Sequence, residues 1–197
     1  MKVALIGNSH AQALWPRVQS VLEAGGHVVT LARAEPGWTA ARYRSEGSIG
    51  EQLFQATPDY VIIELGANNW NRGNGYLDDV KWLIDSAKAA GARTVLWLGP
   101  PTPNAAVAPD IAKAHELTSN MQAANIPSLG AEWVDSRNWA WTGHGSDGVH
   151  YTLAGYDSWA EDILASFEAN QRKFPIGVLV GVSVLALLAA IVYRVRS

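Results

Sequence analysis

The stretch VALIGNSHAQAL, residues 3–14, determines the fold that the sequence predicts. Residues 3–6 are continuously apolar, and so short a run is typical of a strand buried on both faces of a sheet. Residues 7–10 interrupt this run, and residues 11–24 have the pattern of a helix. The loop between a parallel strand and its helix lies at the carboxyl edge of the sheet, where ligands bind. Ser9 is therefore expected at that edge, near a helix N-terminus that favours negative charge.

The same alternation of strands and helices continues along the chain. Apolar runs predict further strands over 27–32, 60–65 and 93–98, and a weak fifth strand within 126–134. Helical spacing predicts helices over 76–90, 105–124 and 153–169, and a short helix within 42–55 that is interrupted around Gly47 and Gly50. This pattern predicts a three-layer α/β fold, with helices on both faces of a parallel sheet. Five strands suit the flavodoxin-like order 2-1-3-4-5.

Composition excludes several classes of protein. At 197 residues and 21.2 kDa, the chain has room for one domain and a short appendage. It contains no cysteine, which excludes disulfide bonds, thiol catalysis and zinc sites built on cysteine. The net charge is −3 and residues 1–170 contain no basic run, so nucleic acid is not an expected partner. No metal ion and no cofactor is expected.

Residues 174–193 are twenty residues without a charge, long enough to cross a bilayer as a helix. A buried core helix is the alternative, but such a helix would not be both terminal and apolar all round. Basic residues flank the stretch on both sides: Arg172 and Lys173, then Arg194 and Arg196. The expected organisation is a globular domain over 1–170, a short basic linker over 171–173, a transmembrane helix over 174–193 and a basic tail over 194–197.

The predicted span makes membrane lipid an expected partner and a single-pass C-terminal anchor the expected location. Its balanced flanking charges do not orient it. No signal peptide precedes the first strand, so the span is expected to insert late, as tail anchors do. The domain would then stay on the side of synthesis, unless a dedicated system carries it across. Gly177 and Gly181 form a small-xxx-small pair that could support a weak homodimer, although such pairs also occur by chance.

The predicted edge loops carry groups suited to acyl transfer. Ser9 can act as nucleophile and His150 as the base that takes its proton, while Asp147 can orient the imidazole from a turn just before it. The backbone N–H groups of Ser9 and Gly37 and the side-chain amide of Asn68 can form an oxyanion hole. Each residue also has a simpler interpretation. Ser9 and Asp147 could cap helices. Gly37 and Asn68 could be turn residues, and His150 could be a surface histidine.

These residues lie in four blocks, which are GNSH at 7–10, PGWT at 36–39, ELGANN at 64–69 and DGVH at 147–150. In this order the blocks resemble those of the SGNH hydrolases, the GDSL-type esterase and lipase superfamily. The resemblance spans roughly residues 2–168. It implies a serine ester hydrolase with the fold of that superfamily, with Ser9, Asp147 and His150 as its catalytic residues. The oxyanion hole would then be formed by Ser9, Gly37 and Asn68.

Three positions depart from the pattern of that superfamily. Asn8 stands where an aspartate is usual, and Asn69 stands where an aspartate commonly follows the oxyanion asparagine. Tyr151 replaces a frequent proline. The two asparagines remove two carboxylates from the site, so its electrostatics are expected to differ, while all the essential roles are retained.

Four tryptophans lie near the blocks and are predicted to bind substrate: Trp38, Trp70, Trp139 and Trp141. Because flat aromatic faces stack on sugar rings, they favour an acetylated glycan as substrate, although these indoles could equally pack in the core. A lysophospholipase or lipase held at the membrane is the alternative enzyme. A non-enzymatic membrane protein, for example of a virion, is a third possibility, but such a protein has no need of an intact set of Ser, His and Asp.

Overall fold

The computed structural model describes residues 1–69, 75–139 and 143–173 of the chain. The strands in these ranges are β1 (Lys2–Gly7), β2 (Val28–Ala34), β3 (Tyr60–Glu64), β4 (Thr94–Leu98) and β5 (Glu132–Val134). The helices are α1 (Ser9–Ala24), α2 (Ala40–Glu46), α3 (Ser48–Ala56), α4 (Tyr76–Ala89), α5 (Pro109–Asn125) and α6 (Leu153–Lys173). Two 3₁₀ turns, Ile126–Leu129 and Ser136–Asn138, lie on either side of β5.

The strands form one parallel sheet in the order β2-β1-β3-β4-β5, which confirms the strand order predicted from the sequence. Gly7 at the end of β1 lies opposite Ala34 of β2 and Glu64 of β3. Glu64 in turn lies opposite Leu98 of β4. These four strands therefore end level, and the loops that follow them emerge side by side at the carboxyl edge.

Helices cover both faces of the sheet. On one face, α2, α3 and α4 contribute to a single apolar cluster with alternate strand residues, which are Ala4, Ile6, Val61, Ile63, Val95 and Trp97. The intervening side chains, such as Leu5 and Ile62, point to the opposite face and are also fully buried. On that side α1 contacts β1 and β2. Burial on both faces explains why the strands are continuously apolar rather than alternating.

Several boundaries differ from those predicted. The segment 42–55 forms two helices rather than one interrupted helix, because Gly47 adopts φ = 85° between α2 and α3. Gly50 lies inside α3. The helix predicted from 105 begins only at Pro109, a residue suited to a first helical turn. Strand β2 extends to Ala34, two residues beyond the predicted end.

The weak fifth strand predicted within 126–134 is right only in its second part. Ile126–Leu129 is a 3₁₀ turn, which ends at Gly130 in the left-handed conformation with φ = 88°. Strand β5 comprises only Glu132–Val134 and pairs with β4. Its short length explains why its apolar signal in the sequence is weak.

Residues 1–164 form one compact unit, and a second unit begins at residue 165. Helix α6 continues to Lys173 and so includes 171–173, the predicted linker. The predicted membrane helix over 174–193 and the tail over 194–197 lie outside the described residues. Among the residues that are described, no helix has both the length and the apolar character to cross a membrane.

Candidate active site

Ser9 is the first residue of α1, directly after the end of β1 and its one-residue link Asn8. Asn8 is the N-cap of the helix, and its side-chain oxygen accepts the N–H of His10 at 3.0 Å. The capping interpretation of Ser9 is therefore wrong, since its neighbour performs that task. The Ser9 hydroxyl points instead to His150, with Oγ 2.9 Å from Nε2.

Gly7 holds the first block against the second. A Cβ at position 7 would lie 2.4 Å from the Cβ of Ala11, so the first turn of α1 requires glycine beneath it. The carbonyl of Gly7 accepts the hydroxyl of Tyr43 at 2.7 Å and the N–H of Glu35 at 3.0 Å. Tyr43 is fully buried, so the two hydrogen bonds fix the strand end to α2 and to the turn that follows β2.

Gly37 lies in a tight turn over residues 35–38. The N–H of Trp38 donates to the carbonyl of Glu35 at 3.1 Å and closes the turn. Pro36 and Gly37 take its two middle positions, and Gly37 has φ = 73°, as the second middle residue of a type II turn requires. Gly37 is exposed, so a ligand can approach its backbone. The turn interpretation is correct, and it is compatible with a role in an oxyanion hole.

Asn68 joins the third block to the second. It follows β3, is half-buried, and donates from its side-chain nitrogen to the carbonyl of Trp38 at 3.4 Å. This bond places the amide beside the turn that contains Gly37. The amide nitrogen carries two N–H groups, so one donor is left for a ligand. The N–H of Asn69 donates to the carbonyl of Gly66 at 3.1 Å, which makes the loop after β3 a closed turn.

The segment 143–152 folds back on itself and carries the fourth block. The N–H of Thr152 donates to the carbonyl of Gly143 at 2.6 Å, and the N–H of Gly145 donates to the carbonyl of His150 at 2.7 Å. These bonds tie both ends of the segment together around Asp147. The backbone on both sides of the fourth block is therefore fixed.

Gly148, inside the fourth block, is held against the loop that precedes α5. Its φ is 68°, and a Cβ at this position would lie 2.6 Å from the Cβ of Val107. The N–H of Asn104 donates to the carbonyl of Gly148 at 2.7 Å. Both the backbone conformation and the lack of space therefore require glycine here.

Ser9, His150 and Asp147 form a continuous chain of hydrogen bonds. His150 Nδ1 lies 2.7 Å from Oδ2 of Asp147, and its Nε2 lies 2.9 Å from Oγ of Ser9. The His150 side chain is 42% exposed, but both of its nitrogens are engaged, so it is not simply a surface histidine. Asp147 does not cap α6, because the hydroxyl of Thr152 accepts the N–H of Gly155 at 3.4 Å.

The Asp147 carboxylate is stabilised by three donors. Oδ1 accepts the backbone N–H groups of Val149 at 2.9 Å and His150 at 3.0 Å, and Oδ2 faces the imidazole. Partial burial raises the pKa of this carboxyl, but the hydrogen bonds from the His150 ring and from the two backbone groups outweigh it and lower the pKa to about 2. Asp147 is therefore negatively charged throughout the neutral range.

A second carboxyl group lies buried at the base of the site. Glu64, the last residue of β3, is fully buried, and the side-chain nitrogen of Asn8 donates to its Oε1 at 3.3 Å. Burial raises the pKa of Glu64 to about 8, against the opposing hydrogen bonds from Asn8. Glu64 is thus largely protonated at neutral pH. Asn8 therefore places a neutral amide next to this neutral acid.

Trp38, predicted to bind substrate, is half-buried beside the Gly37 turn. The guanidinium carbon of Arg33 lies 4.9 Å from its ring centroid, and that of Arg42 lies 5.4 Å away. The ring of Tyr43 meets it edge-on at 4.9 Å. The indole is therefore positioned by protein groups, and its contact with a substrate stays a prediction.

Of the other predicted binding residues, Trp139 lies among the described residues. Trp139 follows the 3₁₀ turn Ser136–Asn138, and its N–H donates to the carbonyl of Ser136 at 3.3 Å. Trp70 and Trp141 lie outside the described residues. Within the described part of the chain, no three or more His, Cys, Asp or Glu side chains are grouped so that they could hold a metal ion.

Sequence reasoning assigned no role to His10, which the structure places against the His150 ring, at 4.9 Å between ring centroids. The available signal was its position directly after Ser9, in the first turn of a helix whose N-terminus lies at the sheet edge. It also assigned none to Tyr43, whose contact with Gly7 spans 36 residues of sequence and leaves no local pattern.

Comparison with known proteins identifies the family. The family model of the GDSL-like lipase/acylhydrolases matches residues 5–157, so the chain belongs to this family. It is a serine ester hydrolase. A search of curated proteins found no match.

Solved structures share the fold at low sequence identity. A lipase/acylhydrolase from Enterococcus faecalis is 19% identical with a TM-score of 0.64, over 86% of this chain and 96% of the other. A catalytic mutant of an acetylxylan esterase from Geobacillus stearothermophilus is 15% identical with a TM-score of 0.67, over 83% and 92%. A carbohydrate acetylesterase family member from Sinorhizobium meliloti is 17% identical with a TM-score of 0.67, over 85% and 97%.

Proposed function

We propose that the chain is a membrane-anchored esterase that removes O-acetyl groups from a glycan. In this proposal Ser9, His150 and Asp147 form the catalytic triad, and Gly37 and Asn68 complete the oxyanion hole with the N–H of Ser9. The observation that carries the proposal is the unbroken hydrogen-bond chain, 2.9 Å from Ser9 to His150 and 2.7 Å from His150 to Asp147. This order of nucleophile, base and orienting carboxylate is what acyl transfer requires.

The triad geometry gives each group one task. The Ser9 oxygen attacks the ester carbonyl carbon while its proton moves to Nε2 of His150. The imidazolium that forms is stabilised by the Asp147 carboxylate through Nδ1–H. When the tetrahedral intermediate collapses, His150 returns the proton to the leaving alcohol and leaves an acyl group on Ser9. Water, deprotonated by the same base, then releases the acid and restores Ser9.

Three donors are proposed to bind the negative oxygen of the intermediate. The Ser9 N–H lies at the N-terminus of α1, where the helix dipole favours negative charge. Asn68 and the turn of Gly37 are held side by side through the carbonyl of Trp38. Donors fixed in advance lose little free energy to reorganisation during the reaction, which is why such holes contribute strongly to catalysis.

Removal of the nucleophile tests the triad. Ser9→Ala is expected to lower kcat on p-nitrophenyl acetate by roughly 10⁴–10⁶-fold, as removal of a triad nucleophile does in other hydrolases. Ser20→Ala is the matched control, since Ser20 is an exposed serine of the same helix. Turnover of Ser9→Ala at the rate of the control would show that Ser9 is not the nucleophile.

Acetylated glycan is proposed as substrate because two proteins with this fold carry the names acetylxylan esterase and carbohydrate acetylesterase. The indole of Trp38 beside the proposed oxyanion hole also suits a sugar ring. The test compares kcat/KM on acetylated xylooligosaccharides, on p-nitrophenyl esters of increasing acyl length, and on lysophosphatidylcholine. Preference for the acetyl esters is expected, whereas preference for long acyl chains or for the lysolipid would favour the lipase alternative.

Membrane anchoring rests on the uncharged stretch 174–193 of the sequence. The full chain is expected to sediment with membranes and to resist carbonate extraction. A chain that ends at Gln171 is expected to remain in the supernatant and to keep its esterase activity. If the full chain stays in the supernatant without detergent, the stretch is not an anchor.

A further inference from the structure

His10 occupies the space directly behind the proposed base. It lies in the first turn of α1 and is only 1% exposed. Its ring centroid lies 4.9 Å from that of His150, with the two planes inclined at 40°. The indole of Trp159 meets the His10 ring nearly edge-on at 5.6 Å. His10 is thus packed between the base and helix α6.

A hydrogen bond fixes the orientation of this ring. His10 Nδ1 lies 3.2 Å from the hydroxyl of Tyr156, whose own ring is stacked on Trp159 at 6.1 Å. His10 Nε2 is buried and has no hydrogen-bond partner among the described residues. Tyr156 and Trp159 both belong to α6, so the helix that follows the fourth block also holds the residue that follows Ser9.

His10 is neutral at the pH at which an esterase works. Burial and the neighbouring histidines lower its pKa well below 6.5, and Asp147 opposes them only in part. The titratable groups around it are His150, His115, Asp147, His144, Tyr156 and Tyr151. Since an imidazolium forms on His150 during acyl transfer, a charged neighbour would repel it, whereas a neutral ring does not.

Two side-chain torsions and two hydrogen bonds set the position of the His150 ring. The hydrogen bonds act only at the edge atoms Nδ1 and Nε2, so the faces of the ring are restrained by packing contacts alone. The side chain is 42% exposed, so part of its surface meets only solvent. The ring of His10 supplies a packing contact on the protein side, which limits movement of the His150 ring away from Ser9.

We propose that His10 is a positioning residue for the ester hydrolysis: its neutral ring, anchored by Tyr156, packs against His150 and keeps Nε2 directed at the Ser9 hydroxyl. The inference rests on the proposed function, because it assumes that His150 is the base. His10 donates no proton to the substrate and exchanges none with it. Its effect is expected in the rate of the chemical step alone, since His150 acts on the reacting atoms rather than on substrate binding.

Three variants test this role. His10→Leu removes the planar ring, His10→Phe keeps it, and Tyr156→Phe removes only the hydroxyl that orients it. Misplacement of a catalytic group by about 1 Å can cost roughly 10²-fold in rate. His10→Leu is therefore expected to lower kcat by about 10- to 100-fold with KM nearly unchanged. Tyr156→Phe should lose less, and His10→Phe should recover most of the activity lost by His10→Leu.

The matched control is His27→Leu, the same substitution just before β2, at the opposite edge of the sheet. It should leave kcat at the wild-type value. Thermal melting of each variant establishes that it is folded at the assay temperature. The shape of the kcat/KM profile against pH should be the same in His10→Phe as in the wild type, because a neutral ring at position 10 adds no titration of its own.

Several outcomes would overturn the proposal. These are a folded His10→Leu with wild-type kcat, equal losses in His10→Leu and His10→Phe, or an effect confined to KM. If His10→Leu does not fold, an unchanged kcat in Tyr156→Phe overturns it instead. Ser9→Ala, assayed in parallel, distinguishes a failure of the proposed function from a failure of the role of His10. Activity in Ser9→Ala refutes the proposed function, whereas an inactive Ser9→Ala with an active His10→Leu refutes only the role of His10.

Discussion

Replacement of the buried Glu64 by glutamine should change how the stability of the protein depends on pH. Glu64 is fully buried, and its pKa is raised from 4.5 to about 8 by burial. Between these values the unfolded chain releases the proton while the folded chain keeps it, so the free energy of unfolding falls as pH rises. Each pH unit in this window corresponds to about 1.4 kcal/mol, which amounts to about 3 kcal/mol between pH 4.5 and pH 7.

The glutamine side chain has nearly the same shape and does not ionise. Glu64→Gln should therefore gain stability relative to the wild type as pH rises, by about 3 kcal/mol between pH 4.5 and neutral pH. At pH 4.5 the two proteins should differ in stability mainly through the altered hydrogen bond with Asn8. Urea denaturation at several pH values measures this difference. Glu51→Gln is the control, because Glu51 is exposed on α3. A constant difference between Glu64→Gln and wild type across the window would refute the argument.

Three further substitutions test the site. Asp147→Asn should lower kcat by about 10⁴-fold. Because the pKa of this carboxyl is about 2, the loss should be the same from about pH 5 to about pH 8. Steady-state kinetics that show the loss at only one end of this pH range would contradict this. Asn68→Ala should lower kcat by roughly 10²–10³-fold with KM nearly unchanged, and an effect on KM alone would make it a ground-state binding residue. Gly148→Ala should cost about 1–3 kcal/mol of unfolding free energy in urea denaturation. The loss of stability should exceed that in Gly26→Ala, because Gly26 also has a positive φ but has open space for a Cβ. Equal losses in the two variants would argue against close packing of residue 148 on Val107.

The strand order, and the sheet edge at which the candidate site residues meet, could be predicted because the signals are local. The central strands are apolar runs, since both of their faces are buried, and β1 ends at Gly7 and β3 at Glu64 at the sheet edge. Parallel strands joined by helices must deliver their loops to one edge. The location of Ser9 and Asn68 at this edge follows from the strand pattern alone. His150 is expected at the same edge because the fourth block precedes the last helix of the domain.

The details that the sequence did not predict depend on contacts between distant residues. Asn8 and Ser9 are both good N-caps, and the choice between them is made by the hydrogen bonds of Asn8 to His10 and Glu64. The hydroxyl of Tyr43 reaches the Gly7 carbonyl across 36 residues. The residue pattern of one segment cannot predict such a contact, because the two residues come together only when the chain has folded.

The central claim, that Ser9 is the nucleophile, is tested most directly by covalent labelling. A fluorophosphonate reacts with a serine that is activated by a base and leaves a stable adduct on its oxygen. Intact-mass and peptide analysis should find one adduct, on the peptide that contains Ser9, with loss of esterase activity in proportion to labelling. Ser9→Ala should take up no label. Labelling of another residue with full loss of activity, or of Ser9 with activity retained, would contradict the account.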